Sequence, residues 1–369
     1  MRIGIDARLI DETGVGRYIR NLIQELTLLD SSHTFVVFLL PSAYKEFHLP
    51  AGRWEKRIAN VHWHTIQEQV VMPIVFRKAH LDLVHIPYFA IPIFYTKPYI
   101  VTIHDLTVLH YQTGKATTLP YILYFLKWIG YYLVLRIGLA KAKHIIAVSK
   151  TIKEDLRQSF GMSKDKITVT YEGVDKKMSN VKCLPVRQAG QMSNVKLPYF
   201  LYVGNAYPHK NLHFLIQAFA KFKESSQGKD FHLVFVGSDT SFYTHLHTFV
   251  DTLPCKDAIQ FTGAITDEDL VGAYTYAHAL VFPSLSEGFG LPALEAIRFG
   301  CPVICSDIPI FHEILQEYVT YFDPKSVASL VSVLTNVSKK RVVPGMNILA
   351  RYSWKTMAAQ TLAIYERSR

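Results

Sequence analysis

Pro283-Ser284-Leu285-Ser286-Glu287-Gly288-Phe289-Gly290-Leu291-Pro292-Ala293-Leu294-Glu295-Ala296 is the stretch that decides the fold. The run before it, His278–Phe282, reads as a buried parallel strand that stops at Pro283. A short loop with two glycines follows, and a helix begins at Leu291-Pro292, where proline's missing N–H costs nothing. Gly288 and Gly290 lack a Cβ, so the backbone can curl and a ligand can come close. The amides of Gly288, Phe289 and Gly290 then sit at the positive end of a helix dipole, an arrangement suited to phosphate. Glu287 in the loop and Glu295 one turn into the helix frame it. A carboxylate beside a phosphate would repel it, so these two are expected to accept hydrogen bonds from hydroxyls. Amides for phosphate and carboxylates for hydroxyls suit a sugar nucleotide.

The chain has 369 residues, 49% of them hydrophobic and 13% aromatic, enough for two α/β cores. Charged residues near Met1 argue against a secretory signal, and Cys183, Cys255, Cys301 and Cys305 lack metal-ligand spacing, so free thiols in a reducing cytoplasm are expected. The net charge of +10 is uneven. Residues 1–175 carry 21 basic against 15 acidic side chains, residues 176–198 five against none, and residues 199–369 14 against 15. Residues 115–166 hold ten basic and three acidic side chains. Such a patch favours nucleic acid or an anionic membrane, and the aromatic-rich run inside it favours the membrane. Nucleic acid is not expected as a partner. The run from Leu119 to Ala140 is the least polar in the chain, but Lys127 and Arg136 interrupt it on opposite helical faces, so it is neither a clean span nor a clean amphipath. It reads as a helix packed in the core and partly presented to lipid or a partner, with a wholly buried helix as the alternative.

In chain order, Arg2–Asp6 is a first strand, Asp11-Glu12-Thr13-Gly14-Val15-Gly16-Arg17-Tyr18 a glycine loop, and Tyr18–Leu29 a helix. Strands are expected at Phe35–Leu40, Val61–Ile66, Leu83–Ile86, Tyr99–Ile103, His144–Val148 and Ile167–Tyr171, with a capping box at Thr151-Ile152-Lys153-Glu154 opening a helix. Strands alternating with helices give a parallel, doubly wound sheet whose ligands bind at the strands' carboxyl ends. His85 and His104 fall there; His104-Asp105 is the stronger candidate, and His85 is given a mainly structural role. Between the halves, Met178-Ser179-Asn180-Val181-Lys182 recurs as Met192-Ser193-Asn194-Val195-Lys196 in a basic linker, too few copies for a solenoid. A second sheet starts at Tyr199–Gly204 and is completed by Leu233–Gly237, Ala258–Thr262, His278–Phe282 and Pro302–Cys305. Its first strand leads through Pro208-His209-Lys210-Asn211 into a helix at Leu212–Lys221. Asp267-Glu268-Asp269 is a D-x-D, but it opens a helix, where acids complement the dipole, so no metal is expected.

The loop E-G-F-G-L-P-A-L-E, with Glu287 and Glu295, resembles the E-x7-E signature of the retaining glycosyltransferases of family 4. The Pro208–Asn211, His104-Asp105, T-G-V-G-R-Y, Glu172-Gly173-Val174-Asp175 and Ser306-Asp307-Ile308-Pro309 segments are similar to that family's pattern too, covering nearly all the chain except the linker. Two departures stand out. No arginine accompanies Lys210, and Gln316 replaces a usual glycine. The resemblance implies the GT-B fold, an α/β architecture of two Rossmann-like doubly wound parallel-sheet domains facing a central crevice. It divides the chain into an acceptor-side domain at 1–175, the linker at 176–198, a nucleotide-sugar domain at 199–351 and a helix at 352–369 that crosses back.

It further implies that His104, Glu287 and Lys210 carry catalysis. Gly14, Gly16, His209, Lys210, Gly288, Phe289, Gly290, Leu291 and Glu295 would bind the donor. Glu295 would hold the ribose, Glu287 and His104 the transferred sugar, and Lys210 with the glycine amides the diphosphate. The expected reaction is metal-independent, uses no cofactor and retains anomeric configuration, moving a hexose (mannose is favoured, because G-I-D-A-R-L with T-G-V-G-R-Y resembles mannosyltransferase-like members) from a GDP- or UDP-linked donor to a glycan or lipid-linked acceptor for surface polysaccharide. The expected location is cytoplasmic, peripheral on the inner face of the plasma membrane through residues 115–166. A sugar-nucleotide epimerase of the same fold and a non-catalytic membrane-surface protein remain as alternatives. A dinucleotide dehydrogenase is disfavoured, because no G-x-G-x-x-G follows the first strand.

Overall fold

The structure, a computed structural model, describes residues 1–110, 121–174, 195–238, 240–337 and 346–368. Met178–Lys182, most of its repeat, Asp175, Cys183 and the start of the basic 115–166 region lie outside the described residues. The chain forms two compact units, Met1–Gly173 with Tyr352–Arg369, and Val174–Arg351.

In the first unit the strands are β1 (Arg2–Asp6), β2 (Thr34–Leu39), β3 (Trp54–Ile58), β4 (Leu83–Ile86), β5 (Tyr99–Ile103), β6 (His144–Ala147) and β7 (Ile167–Val169). Between them run α1 (Gly14–Leu28), α2 (Pro41–Glu46), α3 (Ile66–Lys78), α4 (Thr107–His110), α5 (Tyr121–Lys141) and α6 (Lys150–Phe160). The second unit has β8 (Tyr199–Val203), β9 (His232–Val236), β10 (Ile259–Phe261), β11 (Ala279–Phe282), β12 (Val303–Ser306) and β13 (Thr320–Phe322). Its helices are α7 (Leu212–Lys223), α8 (Ser241–Asp251), α9 (Asp267–Tyr276), α10 (Leu291–Arg298), α11 (Pro309–Leu315), α12 (Val327–Asn336) and α13 (Met346–Ala350). The last helix, α14 (Trp354–Arg367), belongs to the first unit and lies against α1.

Both sheets are parallel throughout, in the orders β3-β2-β1-β4-β5-β6-β7 and β10-β9-β8-β11-β12-β13. Each is a doubly wound sheet whose order reverses once, between β1 and β4 and between β8 and β11. The carboxyl ends of those four strands are where such a sheet binds ligands. The central strands are buried on both faces, Leu83–Ile86 and Ala279–Phe282 without exception, which is why they read as unbroken apolar runs.

Four local expectations are corrected. Residues 61–65 are loop and Ile66 starts α3; the strand there is β3, the polar edge W-E-K-R-I. Gly14 to Arg17 is not a loop but the first turn of α1, and Gly16 is required by packing, since a Cβ there would lie 2.4 Å from the Ile10 carbonyl oxygen. The cap of α6 is Ser149, whose Oγ accepts from the Ile152 amide, not Thr151. A sixth strand, β13, extends the second sheet beyond the five expected. The Asp267–Asp269 segment does open α9, capped by Thr266, whose Oγ1 accepts from the Asp269 amide at 3.1 Å. No helix among the described residues is long and apolar enough to cross a membrane.

Candidate functional site

In the second unit the β8 and β11 ends flank the switch point, and the loops that leave them are tied together. The Leu285 amide donates to the His209 carbonyl at 2.8 Å. Lys210 Nζ reaches Glu287 Oε1 at 2.5 Å, Ser284 Oγ donates to the same oxygen at 2.7 Å, and the ammonium stands 5.9 Å from the Phe282 ring centre. The 13% and 11% side-chain exposures of Lys210 and Glu287 leave the pair shielded yet reachable. Backbone geometry delivers the lysine. Pro208–Lys210 is a single 3-10 turn, closed by Asn211 at φ 59°, whose side chain donates to the Pro324 carbonyl at 3.1 Å and starts α7. Before it, Tyr202 and Tyr243 hold the turn at Gly204, donating to the Asn205 and Gly204 carbonyls at 2.6 and 2.8 Å. Burial pushes both phenols well up, so they act as neutral donors.

The second loop ends at Gly290, whose φ of 93° favours glycine, with Phe311 3.1 Å from where a Cβ would stand. Gly288, Phe289, Gly290 and Leu291 are all buried at the amino end of α10. Glu295 is 2% exposed and accepts from the Tyr274 hydroxyl of α9 at 2.9 Å. The structure thus brings His209, Lys210, Glu287 and the Gly288–Leu291 turn to one switch point. Glu295 sits in the same helix as a buried, partnered carboxylate.

Gly14, Gly16 and His104 belong to the first unit. Gly14 opens α1 with nothing within 4 Å of its would-be Cβ. His104 follows β5, 8% exposed, with Nδ1 2.9 Å from Glu172 Oε1 and Nε2 3.0 Å from the Pro87 carbonyl, and the Tyr18 ring of α1 meets it edge-on at 4.7 Å. A carbonyl only accepts, so Nε2 bears hydrogen. His85 is fully buried between the Tyr365 hydroxyl (2.7 Å) and Thr102 Oγ1 (2.8 Å), and burial lowers its pKa to about 3. Tyr365 lies on α14, so this histidine ties the carboxyl-terminal helix to the sheet. Beneath the β1 end, Arg8 forks onto Asp6 at 2.8 and 2.7 Å and also donates to Glu68 at 2.7 Å and the Val61 carbonyl at 3.0 Å. Burial alone would lower the guanidinium, but the two carboxylates outweigh it and hold it charged; burial also lifts Glu68 above its ordinary range. No motif in the sequence marks Ser284, Tyr274, Tyr202, Glu172 or the Arg8 cluster as site residues. Glu172 was visible only as part of E-G-V-D, and Ser284 as the residue after the proline that ends β11. Among the described residues no group of three His, Cys, Asp or Glu could hold a metal ion.

Two parallel-sheet Rossmann-like units, each with polar loops at its switch point, make this a GT-B protein. The profile of glycosyl transferases group 1 matches residues 188–352, and that of glycosyltransferase family 4 matches residues 13–177. The chain belongs to this glycosyltransferase family. It is 27% identical over 303 residues to the O-antigen chain mannosyltransferase RfbU of Salmonella typhimurium, covering 82% of this chain and 78% of that protein. Among solved structures, sucrose-phosphate synthase of Thermosynechococcus elongatus superposes with a TM-score of 0.77 at 21% identity, covering 100% of this chain and 98% of that one. HepE of Anabaena, solved in complex with UDP and glucose, superposes with a TM-score of 0.73 at 17% identity, over 100% of both chains. At these identities the two structures speak for the fold.

Proposed function

We propose that the protein is a retaining hexosyltransferase that moves mannose from a nucleotide-diphosphate sugar to a glycan or lipid-linked acceptor during surface polysaccharide synthesis. The observation that carries the reading is the Lys210–Glu287–Ser284 cluster at the β8/β11 switch point, beside the amino end of α10. The mannose assignment leans on the likeness to an O-antigen chain mannosyltransferase. Breaking the bond between the anomeric carbon and the diphosphate oxygen puts negative charge on the leaving group. Lys210, together with the Gly288–Leu291 turn at the α10 amino end, is placed to receive that charge without a metal. When the donor enters, the ammonium swings from Glu287 to the diphosphate, and Glu287 is released to accept a hydroxyl of the transferred sugar. Glu295, oriented by Tyr274, takes the ribose hydroxyls in exchange for one of its present contacts. His209 flanks Lys210, and the α1 start at Gly14–Gly16 serves the donor or acceptor from the first unit. His104 Nε2, which donates to Pro87, can redirect that hydrogen to a sugar hydroxyl. Residues 115–166 are proposed to hold the enzyme at the anionic inner face of the membrane. Lys127 and Arg136 are both exposed on α5, so that helix is not wholly core.

Calorimetric titration with GDP and with UDP, each with EDTA present, tests the reading. The expected result is binding of one nucleotide with an affinity unchanged by the chelator. Binding of neither would sink it, and binding that needs a divalent cation would remove the metal-free mechanism.

A further inference from the structure

Beyond the carboxyl ends of β4 and β5, a group of aromatic rings gathers round His64. The loop after β3 holds this residue at φ 59°, in the left-handed region. Buried groups fix it there. Its amide donates to Glu68 Oε2 at 3.0 Å, and the other Glu68 oxygen is held by Arg8 at 2.7 Å. Thr65 Oγ1 caps the same turn of α3 by accepting from the Glu68 amide at 3.1 Å. The imidazole is laid against Phe89, with ring centres 5.2 Å apart and planes at 23°, while the residue itself stays exposed. Tyr88, with its ring centre 5.7 Å away, and Tyr131 of α5, edge-on at 6.2 Å, complete the wall.

The hydrogen-bonding capacity of this wall is not used up. The Tyr131 hydroxyl is buried and, among the described residues, has no hydrogen-bond partner, a costly state until a ligand supplies one. Burial, with the Asp105 charge nearby, pushes that phenol well up, so it is a neutral donor. Asp105 accepts the Thr107 amide on Oδ1 at 3.0 Å and keeps Oδ2 for another donor. Burial of the inner face of His64, with Lys127, Arg8 and His62 near it, lowers its pKa to about 4. At neutral pH the imidazole is therefore uncharged and offers one N–H and one lone pair. These features select among ligands. A phosphate would meet a neutral ring and the Asp105 carboxylate. An acyl chain would leave the Tyr131 hydroxyl and Asp105 without partners. A sugar ring suits both halves, because its C–H face lies on an electron-rich ring and its hydroxyls pair with donors and acceptors.

We propose that His64, Tyr88, Tyr131 and Asp105 form a subsite for a pyranose ring. The ring lies on the exposed face of His64 and exchanges hydrogen bonds with the Tyr131 hydroxyl and Asp105 Oδ2. The subsite adjoins His104, whose Nε2 donates to the Pro87 carbonyl, one residue before Tyr88. Resting on the transferase reading, this inference narrows the acceptor: the group held here is an uncharged sugar, selected by its ring and not by a lipid or a phosphate.

The test uses the full chain and saturation-transfer NMR with the methyl α-glycosides of mannose, glucose and galactose. Mannitol, which has the hydroxyls but no ring, is the control. The wild type should bind at least one glycoside and not mannitol. His64→Asn keeps a residue that tolerates the left-handed backbone and removes the stacking face, so binding should weaken by about three- to tenfold. Tyr131→Phe should weaken it by about threefold, the loss of one hydrogen bond. Melting temperatures should be unchanged in both. In transfer assays both variants should raise KM for the acceptor and leave KM for the sugar nucleotide as it is. Glycoside binding without any nucleotide binding would support the subsite while removing the transferase reading. Binding of no glycoside, or equal binding in wild type and His64→Asn, would overturn the proposal. So would binding of mannose 1-phosphate but of no methyl glycoside, lost in Lys127→Met, which would assign the site to a phosphate.

Discussion

The two sheets share one winding, yet the polar groups at their switch points are treated in opposite ways. In the first unit they are saturated by the protein itself. Arg8 has both carboxylates and a carbonyl, His104 has Glu172 and Pro87, and His85 has Tyr365 and Thr102. In the second unit the central cation, Lys210, has a carboxylate at one end of a flexible stem and partial exposure. A guanidinium locked into a buried fork is architecture, because moving it would strand two carboxylates. An ammonium that exchanges one partner for another is equipment for a ligand. On our proposal the anion-handling chemistry belongs to the second unit, and removing the cation in each unit is the sharpest test of that division.

Arg8→Met should be the largest effect. It leaves Asp6 and Glu68 buried and facing each other without a cation, a change that costs about 3–5 kcal/mol. Differential scanning calorimetry should show the first unfolding transition lower by about 10 °C. A shift of a degree or two would mean that the cluster is not the anchor of the first sheet.

Lys210→Met should invert the pattern. Its stability cost is expected at about 1 kcal/mol, since Glu287 keeps Ser284 and some solvent. Transfer should nevertheless slow by about 10²–10³-fold, the loss typical of a preorganised charge at a leaving group. Glu287→Gln should slow transfer while sparing nucleotide affinity, because it removes the lysine's partner and not the lysine. Equal turnover in wild type and Lys210→Met would end the assignment of the switch point as catalytic.

Acid should act on the first unit before the second. Folded His85 stays neutral down to about pH 3, whereas the unfolded chain takes up a proton near its ordinary value of 6.5. Between those values the unfolded state binds more protons, so stability is complete above about pH 7 and falls as pH drops, by about 2 kcal/mol at pH 5. Urea midpoints at pH 7 and pH 5 should show this loss in the wild type and a smaller one in His85→Gln. Identical slopes would remove His85 as the titrating group.

Much of this was legible because a parallel sheet writes its central strands as apolar runs. The strands that flank both switch points, and the loop from Glu287 to Leu291, could be placed from residues alone. The edges could not. β3 pairs on one side and covers itself by stacking Trp54 on Phe35 at 4.4 Å, so W-E-K-R-I needs no apolar run and the neighbouring Val61–Ile66 looked the better strand. β13, three residues long, is an edge strand of the second sheet and carries no long apolar run either. The start of α1 was misread because Gly16 is demanded by an approach to Ile10, a contact between segments that spacing does not record. Glu172 was likewise invisible as a partner, since it meets His104 across 68 residues.

Tyr274 is the smallest and most discriminating probe of the remaining assignment. Its hydroxyl donates to Glu295 Oε2 at 2.9 Å, and its ring stacks on Phe299 at 6.0 Å, so Tyr274→Phe removes one hydrogen bond and keeps the packing. A bond to a carboxylate in a buried site contributes about 1.5–3 kcal/mol, and only the part that orients Glu295 toward the ribose should appear in binding. Nucleotide affinity is therefore expected to weaken by about three- to tenfold, with the transfer rate at saturating donor unchanged. Glu295→Ala should weaken binding further, because it removes the acceptor and not its support. If Tyr274→Phe lowers stability and leaves affinity untouched, Glu295 is a structural carboxylate of the α9–α10 contact, and the ribose must be held elsewhere on the second unit.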